Sequence, residues 1–424
     1  MVKNISDKFT GYKKYLFAII IAIVLSLIFY LVLSLAYCIP TSGRIRNNME
    51  NSVSYFDSND YYPQLMDNYN SRLDNWTDSV MLLEAANEDN RNPFEASLNS
   101  YFLYGGKTNP VEVLKQEYTN ISNDYTNFSY ARYWHGYLVI LKPLLWLFNY
   151  GGIRSFLCSV QLLLFVAIIY HLKNNKELII PFVTLFLFFN PVSLMLSMQF
   201  SWITILLMIV CLLMIKYNKK IEKNNLYPLM FVIIGSLTSF VDLLTFPLVT
   251  IGIPLVLYAY FNKAKDIKRL LLDILSFTIL WGIGYGITWA MKWILASLLT
   301  SNNVIKDALT AITIRTTNVS DEQSFTYFET LYRNLGCSLQ IPWFLIVVYC
   351  SIKLVISMIK GNKINTKLII PLIVIGIYPF IWSLIVQNHT YSHCFFVYRI
   401  FGISVFAYLV GVLASTNHNK SINK

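Results

Sequence analysis

The sequence predicts an all-α polytopic membrane protein, with residues 1–424 forming a single integral membrane domain of about ten transmembrane helices. The chain is 55% hydrophobic and only 13% charged, whereas a soluble domain averages about 25% charged residues. Apolar runs such as YLFAIIIAIVLSLIFYLVLSLAY at 15–37 are long enough to cross a hydrocarbon core of about 30 Å at about 1.5 Å per residue. Short lysine-rich segments separate the runs, as is typical of cytoplasmic loops.

The first apolar run is predicted to be a retained helix. It is longer than the apolar core of a secretory signal peptide, and the following CIPTSGRIR lacks a convincing small-x-small cleavage site.

Charge orients the predicted spans. The basic loops 173–176, 216–223, 263–269 and 360–367, together with both lysine-bearing termini, are expected in the cytoplasm. Two long polar segments are expected outside: 39–154, a loop with interfacial helices that holds thirteen of the 23 acidic residues, and 301–340. The result is a multi-pass protein of the cell membrane with both termini cytoplasmic. Its predicted spans are 15–37, 155–171, 178–198, 201–216, 226–243, 246–261, 272–298, 341–359, 368–386 and 397–415.

The stretch RYWHGYLVILKPLLWLFNY at 132–150 resembles a span but is predicted to lie in the outer membrane interface. A helix over 137–148 would be roughly 18 Å long, which is too short for a core of about 30 Å. Counting it as a span would also place basic loops outside. Its tyrosines and tryptophans favour the headgroup level, and Lys142 could extend its stem to phosphate or water.

The net charge of +11 does not indicate nucleic-acid binding, because the lysines follow the orienting pattern of cytoplasmic loops. No C-x-x-C or other metal-binding spacing appears among the six cysteines. We therefore predict no metal site, although the need for a divalent cation stays open. Cys337 and Cys394 both fall in segments predicted to lie outside, where they could pair.

Two acidic residues are candidates for a catalytic base. Asp74 and Asp78 lie four residues apart in SRLDNWTDSVMLLEAA at 71–86, so they share one face of a helix. The apolar positions of this segment predict an amphipathic helix on the membrane surface. A solvated surface helix with ordinary acidic residues near its start would show the same pattern.

The segment QNHTYSHCFFVYR at 387–399 carries a second set of candidates at the outer junction of the last two spans. His389 and His393 are four residues apart and could ligate a metal, but no third ligand is marked. Tyr398 and Arg399 follow at the membrane edge. A guanidinium at this depth is costly and is usually retained for an anion, a carboxylate or a pathway, and its fork suits phosphate.

Two further cations are candidates for contact with an anionic ligand. Lys292 lies in the outer part of a long apolar run, where it could also simply snorkel. Arg154 opens the span 155–171 from the outer side, against the inward preference of positive charge.

The arrangement resembles the GT-C superfamily of polytopic glycosyltransferases. The resemblance rests on the large outer loop after the first span, on YWHGYLVILKPLLWLFNYGGIR with His135 and Arg154, and on NHTYSHCFFVYR near the end of the chain. Asp74, and next Asp78, best match the acidic residue of that family's outer loop.

The resemblance implies transfer of a sugar from a polyprenyl-phosphate-linked donor to a cell-envelope glycan or lipid acceptor, within membrane lipids and on the outer face. Asp74 or Asp78 would be the base. Arg399, Arg154 and Lys142 or Lys292 would stabilise the leaving phosphate, and the histidines would bind sugar or phosphate. The alternatives are a lipid-linked oligosaccharide polymerase or ligase, and a transporter or flippase of lipid-linked sugars.

Overall fold

A computed structural model describes residues 11–56, 60–88, 92–119, 125–320, 323–361 and 365–422. Lysines at both extreme ends, which enter the topology prediction, lie outside these residues. The first half of the described chain contains these α-helices: α1 Lys13–Ala36, α2 Arg44–Glu50, α3 Asn75–Ala85, α4 Pro93–Asn99, α5 Pro110–Tyr118, α6 Leu138–Leu147, α7 Tyr150–His171, α8 Ile179–Phe188, α9 Pro191–Leu196 and α10 Met198–Lys223.

The second half is also mostly helical. Its helices are α11 Tyr227–Val241, α12 Val249–Phe261, α13 Ile267–Leu299, α14 Val304–Thr316, α15 Tyr327–Ser338, α16 Ile341–Ile359, α17 Thr366–Gly376, α18 Tyr378–Ile385, α19 Gln387–Ser392, α20 Cys394–Val397 and α21 Gly402–Ile422. Short 3-10 helices occur at Val53–Phe56, Tyr69–Ser71, Leu172–Asn174, Lys176–Leu178 and Tyr398–Phe401.

Seven helical segments in the described part of the chain are long and apolar enough to cross a membrane. This confirms the prediction of a helical, polytopic membrane protein. The segments are Lys13–Ala36, Tyr150–Asn174, Met198–Lys223, Ile267–Leu299, Ile341–Ile359, Thr366–Ile385 and Cys394–Ser415.

Two predicted spans contain a break that the apolar pattern did not indicate. The span 178–198 is divided into α8 and α9, because Asn190 adopts a left-handed conformation with φ +54° and Pro191 starts a new helix. The span 368–386 is divided into α17 and α18 just before Pro379. Proline lacks the N–H that would continue the helical ladder and is tolerated in the first turn.

The described residues of 39–137 form a layer of short helices and strands at one end of the helix bundle. It includes a two-stranded antiparallel sheet, in which β1 Tyr101–Tyr104 pairs with β2 Thr126–Ser129. A second short pair joins β3 Val319–Ser320 to β4 Gln323–Ser324 in the other predicted outer segment. The all-α prediction therefore misses two small hairpin-like pairings.

The position of helix α3 within this layer differs from the prediction. We expected residues 71–86 to lie on the membrane surface, but most of the helix is buried, including its polar Asp78, Ser79 and Glu84. The helix packs against α5, α6 and β1. The amphipathic pattern was misleading because the side opposite the apolar residues also faces protein.

Helix α6 lies beside this layer and packs against α1, α2 and α3. Asn48 of α2 donates to the Leu145 carbonyl at 2.8 Å. The opposite face exposes Ile140, Leu147 and Phe148. Helix α6 therefore has one apolar face packed in the protein core and a second apolar face that is exposed.

The loops assemble into two groups at opposite ends of the bundle. At one end, basic loops meet: Lys263 lies 3.8 Å from Glu177, and Lys265 lies 3.4 Å from Glu222. At the other end, the segments 39–154 and 301–340 meet, as in the hydrogen bond of 2.6 Å from Asn302 to Asn99. The two segments predicted to share the outer side thus share one end of the protein.

Candidate functional site

A polar cavity of about 280 Å³ lies at the end of the bundle where the two predicted outer segments meet. We call it the Asp74 cavity. Its wall combines one carboxyl group, two arginines, two histidines and several aromatic rings. The residues that line it are Tyr62, Asp74, Trp76, Thr77, Val80, Tyr130, Arg132, Gln199, Leu243, Arg315, His389, His393 and Phe396.

Asp74 supplies the carboxyl group of the cavity. It caps α3, accepting from the Thr77 backbone N–H and from the Thr77 hydroxyl, each at 2.9 Å. Only 2% of the residue is exposed. Burial raises the pKa of Asp74 to about 7, and the neighbouring Asp78 carboxylate adds to the rise, while the hydrogen bonds from Thr77 oppose it. A carboxyl group with such a pKa can take up and release a proton near neutral pH.

Asp78 does not line the cavity, and its carboxylate is fully occupied by structural contacts. The carboxylate accepts from the Tyr150 hydroxyl at 2.6 Å and from the backbone N–H groups of Met198 and Gln199, both at 3.0 Å. The Ser197 hydroxyl adds a longer contact of 3.3 Å. Asp78 therefore holds the N-terminus of α10, where a negative charge also favours the helix dipole. Its assignment as an alternative base is not supported by this geometry.

Replacing Asp78 by asparagine should destabilise the protein. The amide could accept at one oxygen only, and its NH₂ group would face backbone donors, so we expect a loss of about 2–4 kcal/mol. Thermal unfolding of the purified protein in detergent should show a clear drop in melting temperature. The exposed Asp67 offers a matched control, since Asp67→Asn should leave the melting temperature unchanged. Equal melting of Asp78→Asn and wild type would contradict the structural role.

His389 links the Arg315 side chain to the backbone at Leu244. Arg315 Nη1 donates to His389 Nδ1 at 2.5 Å, and His389 Nε2 donates to the Leu244 carbonyl at 2.7 Å. These partners fix the neutral tautomer with its proton on Nε2. Burial lowers the pKa of His389 well below its usual value, and the Arg315 guanidinium and His393 add to the lowering. Both ring nitrogens are occupied, so His389 positions Arg315 and is not free for a metal.

His393 faces the cavity next to His389, with ring centroids 4.8 Å apart. Its ring stacks on that of Phe396, with centroids 5.2 Å apart, and within the described residues no hydrogen bond to a ring nitrogen of His393 is formed. Burial lowers the pKa of His393 to about 4, with the Arg315 charge in the same direction. At neutral pH it is therefore an uncharged ring that can donate or accept a hydrogen bond from a ligand.

Arg132 provides the second guanidinium of the cavity. Its backbone carbonyl accepts from the indole N–H groups of Trp289 and Trp293, at 2.8 and 2.9 Å, so two residues one turn apart on α13 fix its position. Its side chain stacks on Tyr130 at 4.6 Å and donates to Asp307 at 3.3 Å. The Nε of Arg132 is buried without a partner among the described residues.

Gln199 places an amide in the same wall. It is 7% exposed, and its side-chain carbonyl oxygen is buried without a hydrogen-bond partner in the described part of the chain. A buried amide of this kind costs free energy unless a ligand or water pairs with it. With the ring of Trp76 on the same cavity, it provides the mixture of polar groups and aromatic surface that suits a polar ligand.

His135 lies behind the cavity wall. Its Nε2 hydrogen-bonds the Tyr130 carbonyl at 2.8 Å and its Nδ1 the Tyr137 hydroxyl at 2.9 Å, with Glu84 3.0 Å away. It has a left-handed conformation with φ +54°, unusual for a non-glycine residue. His135 therefore supports Tyr130 in the wall and does not reach the cavity itself.

Arg399 and Tyr398 are buried away from the cavity. The Arg399 side chain donates to the Phe189 carbonyl at 2.8 Å and to the Ser193 hydroxyl at 2.9 Å. These groups lie at the break between α8 and α9, where carbonyls have lost their helical partners. Tyr398 packs on Phe188 at 5.7 Å. The prediction that Arg399 binds phosphate is corrected: in this geometry it closes a helix break.

The remaining predicted cations also contact protein. Arg154 donates to the Asn75 side chain at 3.1 Å and stacks on Tyr150 at 4.1 Å. Lys142 does not extend to headgroups. It is 1% exposed and donates to the Ala85 carbonyl at 2.7 Å, and burial lowers its pKa to about 8.

Lys292 is likewise fully buried and donates to the Ser97 carbonyl at 3.0 Å. None of the four basic residues first proposed as phosphate ligands, Arg399, Arg154, Lys142 and Lys292, lines the Asp74 cavity.

Sequence reasoning missed the two arginines that do line it. Arg132 begins the interfacial stretch and Arg315 lies in the second outer segment, so topology alone could have placed both outside. Among the described residues, no group of three or more histidine, cysteine or acidic side chains is arranged to hold a metal.

Comparison with protein-family models, curated proteins and solved structures finds no match for this chain.

Proposed function

We propose that the protein is a membrane glycosyltransferase of GT-C type. It would move a sugar from a polyprenyl-phosphate-linked donor to an envelope glycan or lipid acceptor at the outer face of the membrane. The single observation that carries the proposal is the Asp74 cavity, in which one carboxyl group of raised pKa faces the same space as two guanidinium groups. Acid–base and anion-binding groups in one cavity are the combination that transfer from a phosphate leaving group requires.

The chemistry assigns a role to each side of the cavity. The hydroxyl oxygen of the acceptor attacks the anomeric carbon of the donor sugar while Asp74 takes the hydroxyl proton. The bond from the anomeric carbon to the phosphate oxygen breaks in the same step. Arg132 and Arg315 stabilise the negative charge of the departing phosphate. One displacement of this kind inverts the anomeric carbon. Gln199 and His393 offer hydrogen bonds to sugar hydroxyls.

Arg132 and Arg315 bind the phosphate in this proposal. Their guanidinium groups are held by Asp307 and His389 respectively, at 3.3 and 2.5 Å. Preorganised cations of this kind need little rearrangement when charge develops on the leaving group. His135, Arg154 and Asp78 support the walls around them.

The ten-span topology with both termini cytoplasmic belongs to the same proposal. To the seven long apolar segments the proposal adds three shorter crossings, namely α8 with α9, α11 and α12. The total would be ten crossings, and α6 would be left at the outer end. This count keeps the Asp74 cavity outside and the basic loops inside.

Cysteine labelling tests the topology. Cys38 is exposed and would itself be labelled, so it is first replaced by serine. In this Cys38→Ser background, Asn149→Cys should react with a membrane-impermeant maleimide in intact cells. Lys219→Cys, near the basic end of α10, should react only after permeabilisation. The opposite pattern would show that the orientation is wrong.

A transfer assay tests the function. Purified protein in lipid vesicles is given radiolabelled polyprenyl-phosphate sugars and candidate acceptors. We expect transfer of the label at a rate that is proportional to the amount of protein. Formation of repeating products would indicate the polymerase or ligase alternative. Movement of labelled lipid across the vesicle bilayer without any transfer would instead support a flippase.

The pH dependence of transfer should follow the protonation of Asp74. The base works only when deprotonated, so kcat/KM should fall about tenfold for each unit of pH below about 7 and level off above it. His389 and His393 have lowered pKa values and do not titrate in this window. Measurement between about pH 5.5 and 8.5 should give this profile, and a flat one would exclude Asp74 as the base.

A further inference from the structure

Two cysteines meet at the outer end of the protein, next to the Asp74 cavity. Cys337 lies near the end of α15 and Cys394 begins α20, and these two helices pack against each other. Both cysteines line one cleft of about 530 Å³, together with Tyr69 and Arg333. We call it the Cys337 cleft.

The two cysteines are neighbours within this cleft. Their side chains line it from helices that pack against each other. The Arg333 guanidinium belongs to the same lining and lies over the Tyr391 ring, 4.3 Å from its centroid. A cation beside a sulfur stabilises its thiolate, which is the form that attacks a disulfide.

The other four cysteines are distributed differently. Cys38 follows α1, and Cys158, Cys211 and Cys350 lie within the long apolar helices α7, α10 and α16. Cysteines that pair in oxidising compartments are expected on the outer side. Of the six, Cys337 and Cys394 combine the predicted outer position with a shared cleft.

We propose that Cys337 and Cys394 are a modification site that becomes a disulfide in the mature protein, joining the second outer segment to the histidine-bearing segment. The oxidant is a disulfide-bearing thiol oxidase partner or oxidised glutathione. The Cys394 thiolate attacks a sulfur of that disulfide and expels a thiolate, forming a mixed disulfide. The Cys337 thiolate then attacks the Cys394 sulfur and releases the second thiol, so the oxidant gains two electrons and two protons.

The disulfide would have a structural consequence for the Asp74 cavity. Cys394 directly follows His393, which faces that cavity. A cross-link to α15, whose position is also fixed by the hydrogen bond from Asn70 to the Cys337 carbonyl, restricts the motion of this segment. The inference rests on the proposed topology, which places this end outside, but not on sugar transfer, because the state of the thiols can be measured without it.

Thiol counting in isolated membranes tests the proposal. The full-length protein is exposed to oxidised glutathione, denatured in SDS and labelled with a polyethylene-glycol maleimide that shifts its migration. The chain has six cysteines, so the disulfide should leave four labels before reduction and six after it. Cys337→Ser and Cys394→Ser should each accept five labels in both conditions.

Two outcomes would overturn the proposal. Six labels on oxidised wild type before reduction would show that no disulfide forms. A protected pair that persists in Cys337→Ser would show that other cysteines are joined. As a second measurement, reductant should lower the melting temperature of wild type but leave that of Cys337→Ser unchanged.

Discussion

Replacing Asp74 by asparagine should abolish sugar transfer in a protein that is still folded. A positioned general base contributes typically about 10²–10⁴-fold to a rate, so kcat/KM should fall by that factor, mainly through kcat. Asparagine has nearly the same shape, but its amide cannot take the proton from an acceptor hydroxyl. The measurement is initial transfer rate in vesicles at saturating donor, for wild type and variant together.

The stability of the Asp74→Asn variant shows whether a loss of transfer comes from the missing base or from misfolding. The asparagine oxygen can still accept from the Thr77 backbone N–H, so the cap of α3 is kept. Folding raises the pKa of Asp74, so burying its ionised form costs free energy of folding, and this cost is greatest above about pH 7. The cost disappears as the pH falls toward the pKa that Asp74 has in the unfolded chain.

Asp74→Asn should therefore melt at or above the wild-type temperature at pH of about 8, with a gain on the order of 1–4 kcal/mol at most. The gain should shrink as the pH falls. Loss of transfer with lowered stability would leave the base role without support, and full transfer by the variant would refute it.

The sequence predicted the general arrangement because that arrangement depends on features that act along the chain. Apolar length and the positions of lysines indicated a helical membrane protein, and the polar segments 39–154 and 301–340 do meet at one end. Asp74, chosen from the first of these segments, lines one cavity with His389 and His393, which were chosen from the predicted outer junction at 387–399. Their grouping follows from which loops share an end, and that could be inferred from charge.

The errors concern groups whose partners are distant in the chain. Arg399 was interpreted as a ligand-binding cation because a buried guanidinium requires compensation. Its compensation is the Phe189 carbonyl, made available by a helix break around Asn190 that apolar patterning did not reveal. Asp78 was matched with Asp74 by helical spacing, but the N-terminus of α10 binds it.

Arg132 was overlooked for a related reason. The feature that fixes it is a pair of indoles on α13, more than a hundred residues further along the chain. Trp289 and Trp293 are spaced by one helical turn, but tryptophans at a membrane interface usually indicate only depth. Only the folded chain shows that both donate to one carbonyl.

Replacing Arg315 by alanine should reduce transfer nearly as strongly as the loss of the base. Removal of one preorganised donor from a developing negative charge costs about 10²–10³ in kcat. Lys306 gives a matched control, because it is a basic residue on the same helix α14 but is exposed. Lys306→Ala should transfer at the wild-type rate.

The contact between Arg315 and His389 makes the assignment more specific. If His389 acts by positioning Arg315, then His389→Ala should lower kcat less than Arg315→Ala, and the double variant should be no slower than Arg315→Ala alone. Such non-additivity is expected of residues that act as one unit. If the two substitutions raised the activation free energy by strictly additive amounts, His389 would contact the substrate independently of Arg315. The comparison thereby distinguishes a positioning residue from a second ligand for the departing phosphate.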